Sequence, residues 1–549
     1  MEMGLKPTNV FLEALILKTL GLPRIQFLKY ILIGVACLPM AACDDLDSLN
    51  ENPNAPSSVP SNMLMEGAEK WTMDNIYDNW FSGRQCLAYS QQWTQRNYTE
   101  EDRYQIRESV NNSYFNYLYM GLANFDKVIK MNTDEATKNA ASAYGANCNQ
   151  IAAAKIMKVW LMDVITDTWG NVPYSDIAQL EDKGVLYCKY DDQKDIYAGM
   201  ISELDEAIGM IDVNQSAFTS GDVIFGGDAS KWKKFGNSLK CRLAIHMSKV
   251  DSKWKQYIAE AVASGVMESN DDAAKFTYAS SGSDYCKFYE GFYIDGRNDF
   301  TITNVLTKLM LGKKDDLNGK SHPWEGTVDP RISIYTNKNA QGTYDGIPYA
   351  CPTGIQDKFR STSPNWSSGQ PLVLTKTYAV PLMTYAELKF ILCEYNGYDA
   401  EDYKEGVKAS IEYWYDLAGQ SISDADLNAY VDAVSTKVDA EACAVQKYID
   451  LFTNGTEAWT EVRRTGYPSQ LLRPGEITAV YNGNNVKFEP LSEVKGMIIS
   501  RVKYPTNEST LNGTNWNEAV KKLTDGTNNY YSKMFWDVRT SAYDHPANK

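Results

Sequence analysis

The side chains with the clearest binding chemistry are aromatic rings and planar amides that lie together in polar, loop-like sequence. The segment SQQWTQRNYTEEDRY, residues 90–104, is the first such cluster, and its candidate ligand contacts are Trp93, Arg96, Asn97, Tyr98 and Tyr104. Aromatic faces cover the apolar side of a pyranose ring, while amide and guanidinium groups form hydrogen bonds with its hydroxyls. This combination predicts a binding site for a sugar.

Two more clusters have the same composition. The segment YCKFYEGFYIDGRND, residues 285–299, contains Tyr289, Tyr293, Arg297 and Asn298, and the segment SHPWEG, residues 321–326, contains Trp324. The alternative is that these rings pack the loops in which they occur, since an aromatic side chain buries a large apolar area wherever it is placed. Both interpretations remain open from the sequence alone.

Residues for catalysis are sparse by comparison. The three histidines, His246, His322 and His545, are far apart in sequence, which gives no support to a histidine zinc site or a Ser-His-Asp triad. Glu290 and Asp295 are close in sequence, but a retaining glycosidase needs two carboxyl groups about 5 Å apart across a cleft. We therefore predict a binding protein that is not an enzyme and that carries no cofactor or metal.

A second kind of chemistry is indicated at Cys43. Basic Arg24 and Lys29 precede the apolar run YILIGVACLPMAA, residues 30–42, and Cys43 follows two alanines directly. This order is typical of a secretory signal peptide that ends in a lipobox, and the run is shorter than the roughly 20 residues of a membrane span. We predict a signal peptide over residues 1–42 and lipidation at Cys43. An ordinary cysteine beside a standard cleavage site is the alternative. Residues 1–23 add an apolar patch that a signal peptide does not need, as expected of a translation start assigned too far upstream.

The residues after Cys43 and the overall charge restrict what the mature chain contacts. Residues 43–60 are acidic and rich in Asn and Pro, which predicts a flexible, lipidated tether. The 549-residue chain has a formal net charge of −16, and removal of residues 1–42 leaves 50 basic and 68 acidic side chains. Such a surface repels nucleic acid and anionic lipid headgroups. We therefore expect no nucleic-acid partner, and contact with the membrane only through the lipid anchor.

Residues 61–549 are predicted to form a single domain built mainly from α-helices. Apolar residues recur at three- and four-residue steps in the segments 114–131, 149–165, 196–211 and 231–250. Residues 384–398 and 405–419 predict two helices joined by a short turn, similar to the pairs of tetratricopeptide repeats. Long polar stretches at roughly 272–300, 311–375 and 473–517 lie between the helices, and binding sites concentrate in such loops.

Eight cysteines follow Cys43, scattered singly and without a C-x-x-C pair. Disulfide frameworks are typical of small secreted domains that lack a sufficient core, and this domain is large. We expect most of the eight to be buried free thiols, with one or two disulfide pairs left open.

Seven motifs occur in order along the chain and carry a family resemblance. They are DTWGNVPYSD (167–176), WKKFGNSLKCRLAIHMSKV (232–250), DPRISIY (329–335), MTYAELKFILCE (383–394), EAWTEVRRTGYP (457–468), RVKYPTNESTLN (501–512) and MFWDV (534–538). Together they resemble the SusD/RagB-like outer-membrane lipoproteins. The tether and the RRTGYP motif are most similar to the second SusD-like subgroup, and the resemblance covers essentially the whole mature chain.

The resemblance implies a SusD-like helical scaffold with tetratricopeptide-like helix pairs and long, loop-rich insertions. It implies a nutrient-binding lipoprotein, lipid-anchored in the outer membrane and facing the cell exterior, that forms a lid over a TonB-dependent SusC-like barrel. Such lids capture a nutrient for active uptake, usually an oligosaccharide and in some members a peptide, and they catalyse no reaction. In relatives, an aromatic residue and an asparagine in the region of the first cluster help to form the glycan site.

Two alternatives to an oligosaccharide-binding lid remain at this stage. A peptide-binding lid of the same type is the first, although a peptide site would more often offer sheet edges or charged pockets. A helical protein-interaction scaffold without a role in transport is the second. It accounts for the helix pairs but leaves the aromatic loops and the lipid anchor unexplained.

The motifs themselves are expected to be structural. Residues 169–174 should pack a helix corner, because Gly170 can end a helix with a positive φ and the proline that follows prevents its continuation. Arg463 and Arg464 are expected to pair with buried carboxylates such as Glu457 or Glu461, since arginine makes planar, two-pronged contacts with carboxylates.

Overall fold

The structure is a computed structural model that describes residues 59–177, 184, 186–280, 282, 284–367 and 369–549. Residues Pro60–Lys549 form one compact unit. The signal peptide, the lipidation site Cys43 and all but the last two residues of the tether lie outside the described residues, so these assignments stay predictions. None of the helices in the described ranges is both long enough and apolar enough to cross a membrane.

Helices dominate the described chain, which confirms the predicted fold class. The helices of seven or more residues are α1 (Ser61–Ile76), α2 (Glu108–Thr133), α3 (Asn147–Trp169), α4 (Gln193–Met210), α5 (Ala229–His246), α6 (Trp254–Ser264), α7 (Asn304–Met310), α8 (Tyr385–Tyr395), α9 (Ala400–Leu417), α10 (Asp424–Val434), α11 (Ala440–Asp450), α12 (Gly455–Thr465) and α13 (Gly513–Lys521). Single helical turns occur at Leu87–Tyr89, Lys138–Ala141, Lys287–Tyr289, Ile332–Tyr335, Thr353–Gln356 and Glu508–Leu511. Two π-helical turns span Ser82–Cys86 and Glu290–Ile294.

The first six helices pack in chain order, each against the next. Helix α2 illustrates the reason for this packing, because one of its faces is apolar and lies against α1 and α3. The buried residues of this face occur at the predicted spacing and are Tyr114, Leu118, Leu122 and Phe125. Helix α3 is buried on nearly all sides and forms the centre of the array. Helices α8 and α9 form the predicted pair, and α8 connects this pair to α5 and α11. This arrangement agrees with the predicted tetratricopeptide-like packing.

The corner after α3 is built as the sequence predicts. Helix α3 ends at Trp169, and Gly170 has a φ of +84° and a ψ of −121°, a conformation that side chains with a Cβ avoid. The Trp169 indole is fully buried, and its Nε1 donates to the side chain of Asn111 at 3.0 Å. The corner residues are therefore structural, as expected.

A buried ionic network joins the motif segments. Arg242 of α5 donates two hydrogen bonds of 2.7 Å to the carboxylate of Glu387 in α8. Arg464 contacts both Glu461, at 2.8 Å, and Glu394, at 2.6 Å. Two-pronged Arg–carboxylate pairs satisfy charges that would be costly to bury alone. The recurring motifs thus hold the helices together.

The structure corrects one of the two predicted arginine pairings. Arg464 pairs with Glu461, as predicted. The Arg463 guanidinium instead donates to the backbone carbonyls of Asp167 and Ser500, both at 2.9 Å, and lies 3.6 Å from the ring centroid of Trp459. Arg463 therefore connects the end of α3 to the C-terminal segment without a carboxylate partner on its own helix.

Short two-stranded antiparallel sheets connect the loops. The strands are β1 (Trp93–Gln95), β2 (Val172–Pro173), β3 (Tyr190–Asp191), β4 (Ala274–Thr277), β5 (Phe300–Ile302), β6 (Ala379–Met383), β7 (Ile477–Tyr481) and β8 (Asn484–Lys487). They pair as β1–β5, β2–β3, β4–β6 and β7–β8. The long polar stretches of the sequence therefore contain ordered turns and strand pairs.

All eight cysteines after Cys43 are free thiols in the structure. Seven are buried, and Cys148 is half-buried. The expectation of buried thiols is confirmed, and no cysteine pair in the described chain forms a disulfide.

Candidate functional site

The pairing of β1 with β5 brings two of the three predicted clusters together. Trp93 lies opposite Ile302, and Gln95 lies opposite Phe300. The first cluster continues from the end of β1, and the second cluster leads into the start of β5, so their polar residues meet beside this sheet. Asn97 donates to Asp299 at 3.2 Å across the junction. Residues about 200 positions apart in sequence thus form one surface.

Burial excludes three predicted residues from direct ligand contact. Trp93 and Tyr104 are 0% exposed, and Trp324 is 6% exposed. The Trp93 ring packs between Phe288, Phe300 and Trp366, with centroid distances of 5.0 to 6.1 Å. Aromatic rings in the described loops fill the space beneath the surface, which corrects the expectation that these three bind a sugar.

Arg96 lines a polar depression with a volume of about 680 Å³, here called the Arg96 pocket. Its lining consists of Arg96, Asn337, Lys338, Asn339, Ala340, Arg360, Ser361, Ser363 and Asn365. The Arg96 guanidinium donates to Asn365 Oδ1 at 3.2 Å, and Asn298 donates to the same atom at 3.1 Å. Two predicted residues therefore converge on an amide that was not predicted.

A second depression, here called the Trp80 groove, has a volume of about 410 Å³. It is lined by Asn75, Asp78, Trp80, Phe81, Ser109, Val110, Ser113, Tyr114 and Tyr117. The Trp80 and Tyr117 rings are 41% and 40% exposed. Burial raises the pKa of the Asp78 carboxyl to about 6, although the backbone N–H groups of Phe81 and Ser82 donate to it and act against this rise.

Two consecutive residues of the second cluster connect the pocket and the groove. The Arg297 guanidinium lies 5.4 Å from the Trp80 ring centroid, while the Asn298 side chain bonds Asn365 of the Arg96 pocket. The Arg84 guanidinium lies 4.6 Å from the same Trp80 ring. The two depressions are therefore linked through Arg297 and Asn298, with the exposed Trp80 indole in the lining of the groove and the Arg297 guanidinium beside it.

The remaining predicted residues differ in how far their side chains are exposed to solvent. Tyr98 is 54% exposed, and its φ of +56° holds the ring on a left-handed backbone. Tyr289 and Tyr293 are half-buried, their ring centroids are 5.2 Å apart, and the Tyr293 hydroxyl donates to the Trp366 carbonyl at 2.6 Å. Tyr289 and Tyr293 therefore pack against each other and against the Trp366 segment, and are less exposed than Tyr98.

The predicted site omits Trp80 and Tyr117. Trp80 lies in the segment DNWFSG, where an aromatic residue is surrounded by polar and small residues, the same criterion that selected the other clusters. Tyr117 belongs to α2, and its spacing is that of a core residue. Helix α1 ends at Ile76, and Trp80 in the segment that follows lines the groove together with Tyr117.

One cluster of titratable side chains in the described chain is internal. Asp163, His246 and Glu457 place ligand-type atoms within 4.8 Å of one another, a geometry compatible with a metal ion. However, His246 contacts Tyr197 at 3.1 Å through Nδ1 and Glu457 at 3.1 Å through Nε2, and both ring nitrogens are thus occupied. Full burial separates this cluster from any ligand at the surface. Charge pairing explains the arrangement.

The fold is a helical scaffold with tetratricopeptide-like helix pairs, and two depressions in its surface contain aromatic rings, amides and guanidinium groups. The chain belongs to the second SusD-like family, described as starch-binding and associating with the outer membrane, whose sequence pattern matches residues 53–505. This confirms the family predicted from the seven motifs.

Solved structures have the same fold. A SusD homolog from Parabacteroides distasonis is 21% identical, with a TM-score of 0.70 over 88% of this chain and 99% of that one. A chitin-binding SusD homolog from Flavobacterium johnsoniae is 21% identical, with a TM-score of 0.66 over 87% of this chain and 99% of that one. A further chitin-binding protein is 24% identical, with a TM-score of 0.66 over 86% of this chain and all of that one. None of the curated proteins matches the chain in sequence.

Proposed function

We propose that this protein is a cell-surface lipoprotein that captures an oligosaccharide and acts as the lid of a TonB-dependent, SusC-like transporter. The observation that carries the proposal is the surface formed by the Trp80 groove and the Arg96 pocket. It combines exposed aromatic rings with side-chain amides and guanidinium groups, in a chain whose family is described as starch-binding. This is the composition that pyranose recognition requires.

The same surface favours binding over catalysis. Among the residues that line the two depressions, Asp78 is the one carboxylic acid. Glycoside hydrolysis needs two carboxyl groups on opposite sides of the bond, one as an acid and the other as a base or nucleophile. A single carboxyl group that already accepts bonds from two backbone N–H groups does not provide this arrangement.

Sugar capture is tested by titrating the full chain, extracted in detergent, with a library of oligosaccharides and a library of peptides. Trp80→Ala is expected to weaken oligosaccharide binding at least tenfold, because it removes an exposed ring that lines the groove. Trp254→Ala is the matched control, since Trp254 is a half-buried indole on α6 outside both depressions. Binding of peptides alone would instead support the peptide-binding lid.

The lid and anchor are tested separately from the ligand. Lipidation at Cys43 predicts that the protein fractionates with the outer membrane, is digested by protease added to intact cells, and is released into the soluble fraction by Cys43→Ser. Mild detergent extraction is expected to recover it together with a large β-barrel partner. Recovery without any such partner would favour a free-standing interaction scaffold.

A further inference from the structure

The Arg96 pocket has a charge opposite to that of the whole chain. Three of its nine lining residues are cations, Arg96, Lys338 and Arg360, and none is an acid. The chain as a whole has a formal net charge of −16. Local charge of one sign in a concave site concentrates ligands of the opposite sign. The pocket is therefore an exception that the overall composition does not predict.

The charge on Arg96 is not neutralised by the protein. Its side chain is 8% exposed, its Nη1 bonds the neutral amide of Asn365, and its Nε has no hydrogen-bond partner. No acidic side chain of the described chain forms an ion pair with Arg96 or Lys338. Arg360 differs, because it pairs with Asp357 at 2.6 Å and donates to the Arg96 backbone carbonyl at 3.0 Å. Burial, and then the nearby Arg360, lower the pKa of Arg96, as expected of a cation that lacks an anionic partner.

One polar acceptor in the pocket lining lacks a donor, and a second lies next to the lining. The Oδ1 atom of Asn337, which lines the pocket, and that of Asn298, whose side-chain nitrogen donates to Asn365 of the lining, are buried without a hydrogen-bond partner. Buried amide oxygens are nearly always paired in folded proteins, so these two are suited to donors supplied by a ligand. Chloride and sulfate have no hydroxyl donors to offer, and a volume of about 680 Å³ is much larger than any small inorganic anion, phosphate included. A sugar that also has an anionic group meets both requirements.

We propose that the Arg96 pocket binds an acidic sugar residue, so that the captured oligosaccharide is a uronic-acid-containing or sulfated glycan and not a neutral one. Arg96 makes the main contact with the carboxylate or sulfate ester, Lys338 adds charge at the rim, and the asparagine oxygens accept from the sugar hydroxyls. A guanidinium is the group best shaped for two-pronged contacts with such oxyanions. This inference rests on the proposed function, since it specifies the ligand of the same surface.

The decisive measurement compares ligands that differ only in charge. Titration calorimetry of the full chain in detergent would use an oligogalacturonide and its fully methyl-esterified form. We expect the acid to bind at least tenfold more tightly, and equal, measurable affinities for the two forms would overturn the proposal. A carrageenan oligosaccharide is the sulfated arm, and binding of it without the uronide would assign the anionic group as sulfate.

Further ligands in the same titration distinguish failure of the acidic-sugar proposal from failure of the proposed function. Binding of neutral malto- or chito-oligosaccharides without either acidic glycan would overturn the acidic-sugar proposal and leave glycan capture intact. Binding of none of these glycans would overturn both. Binding of an oligoglutamate peptide alone would assign the cations to a peptide ligand and would also overturn the proposal.

Variants that each remove one positive charge test whether the Arg96 pocket is the site that binds the acidic glycan. Arg96→Gln is expected to weaken acidic-glycan binding at least tenfold, and circular dichroism verifies that the variant folds. Lys338→Gln removes an exposed charge at the rim that forms no ion pair in the described chain and lies 5.4 Å from the Tyr344 ring centroid, and an approximately threefold loss is expected. Lys314→Gln, an exposed cation outside the pocket, makes the same change in net charge and should leave the affinity unchanged. Unchanged affinity in both pocket variants would place the acidic site elsewhere.

Discussion

Single buried residues show how this fold tolerates charge in its core. Arg331 of the DPR motif is 0% exposed, and its guanidinium makes two contacts with Asp329, at 2.9 and 2.6 Å. The remaining donors reach Ser410 and Gln446, both at 2.6 Å. Each charge in the pair is neutralised and hydrogen-bonded, and under this condition the desolvation cost of burying two ions is offset. The motif is thus structural and not part of the ligand surface.

His246 gives the fold a dependence on pH. Although burial lowers the pKa of His246, the neighbouring Glu457, Asp163 and Asp167 raise it, and the net result is about 9. Because this value lies above the unfolded value of about 6.5, the stabilisation is complete below pH 6.5 and is lost as the pH rises through 9. The difference corresponds to a loss on the order of 3 kcal/mol in the free energy of unfolding.

Urea denaturation at pH 6, 7.5 and 9.5 measures this loss, and His246→Gln serves as the comparison. The variant is less stable at every pH, but its stability should fall less steeply between pH 6.5 and 9. Burial and the Asp167 charge also raise the pKa of Asp163, to about 8, so some decrease in the same direction remains in the variant. A slope identical to that of the wild type would contradict the assignment of a charged His246.

At the scale of elements, the helix ends are set by local residues. Helix α9 begins at the Asp399 cap, whose carboxylate accepts from the backbone N–H groups of Glu401 and Asp402, both at 3.0 Å. Helix α5 begins at Asp228 in the same way, with bonds from Ser230 and Lys231. Such caps satisfy N–H groups that the helix itself leaves unpaired, so they fix where each helix starts.

Two glycine-to-alanine substitutions should have opposite effects. Gly170→Ala places a Cβ on a backbone with φ of +84°, and no atom lies closer than 3.7 Å, so conformational strain alone should cost about 1–3 kcal/mol. Gly67→Ala lies within α1 in open space and should stabilise the protein by about 0.5–1 kcal/mol, since alanine favours the helix. Urea unfolding curves of the two variants test the pair. Destabilisation by Gly67→Ala would show that α1 is not a regular helix at this position.

At the scale of the whole molecule, the core is large enough to be stable without disulfides. Residues from nearly every helix contribute to one continuous hydrophobic cluster. Burial raises the pKa of several thiols, among them Cys86, Cys241 and Cys286, each to about 12. These cysteines behave as small apolar core residues, since a protonated, buried thiol is a poor nucleophile.

Thiol labelling tests this state of the cysteines. In native buffer without reductant, a maleimide should modify Cys148 well before the seven buried cysteines. Labelling in denaturant, again without reductant, should modify all eight, and peptide mapping scores each residue individually. Two or more cysteines that stay unlabelled until a reductant is added would reveal a disulfide and contradict the free-thiol assignment.

The helical part of the fold is predictable because its signals are local. The segment 149–165 predicts a helix, and α3 spans Asn147–Trp169; the segment 114–131 predicts another, and α2 spans Glu108–Thr133. Apolar spacing of three and four residues reports which face of a helix is buried, whatever it packs against. The capping residues and Gly170 act within a few positions of the chain. Sequence therefore determines these elements and most of their boundaries.

The site is less predictable because it depends on contacts between distant segments. Arg96 of the first predicted cluster lines a surface depression, yet Trp93 and Tyr104 of the same cluster lie in the core, while Trp80, outside the clusters, is exposed. Composition cannot distinguish these cases, since an indole is equally suited to a core and to a sugar face. Their exposure is decided when β1 pairs with β5 and the loops fold over one another.

By itself, the sequence determined a helical SusD-like scaffold and the ordered motifs of the family, because periodicity and caps are set over short stretches of the chain. Only the tertiary structure decided which aromatic rings face solvent, and that Arg96, Lys338 and Arg360 share one pocket without an acid in its lining. The physical reason is that burial and local charge are properties of assembled surfaces, to which residues hundreds of positions apart contribute.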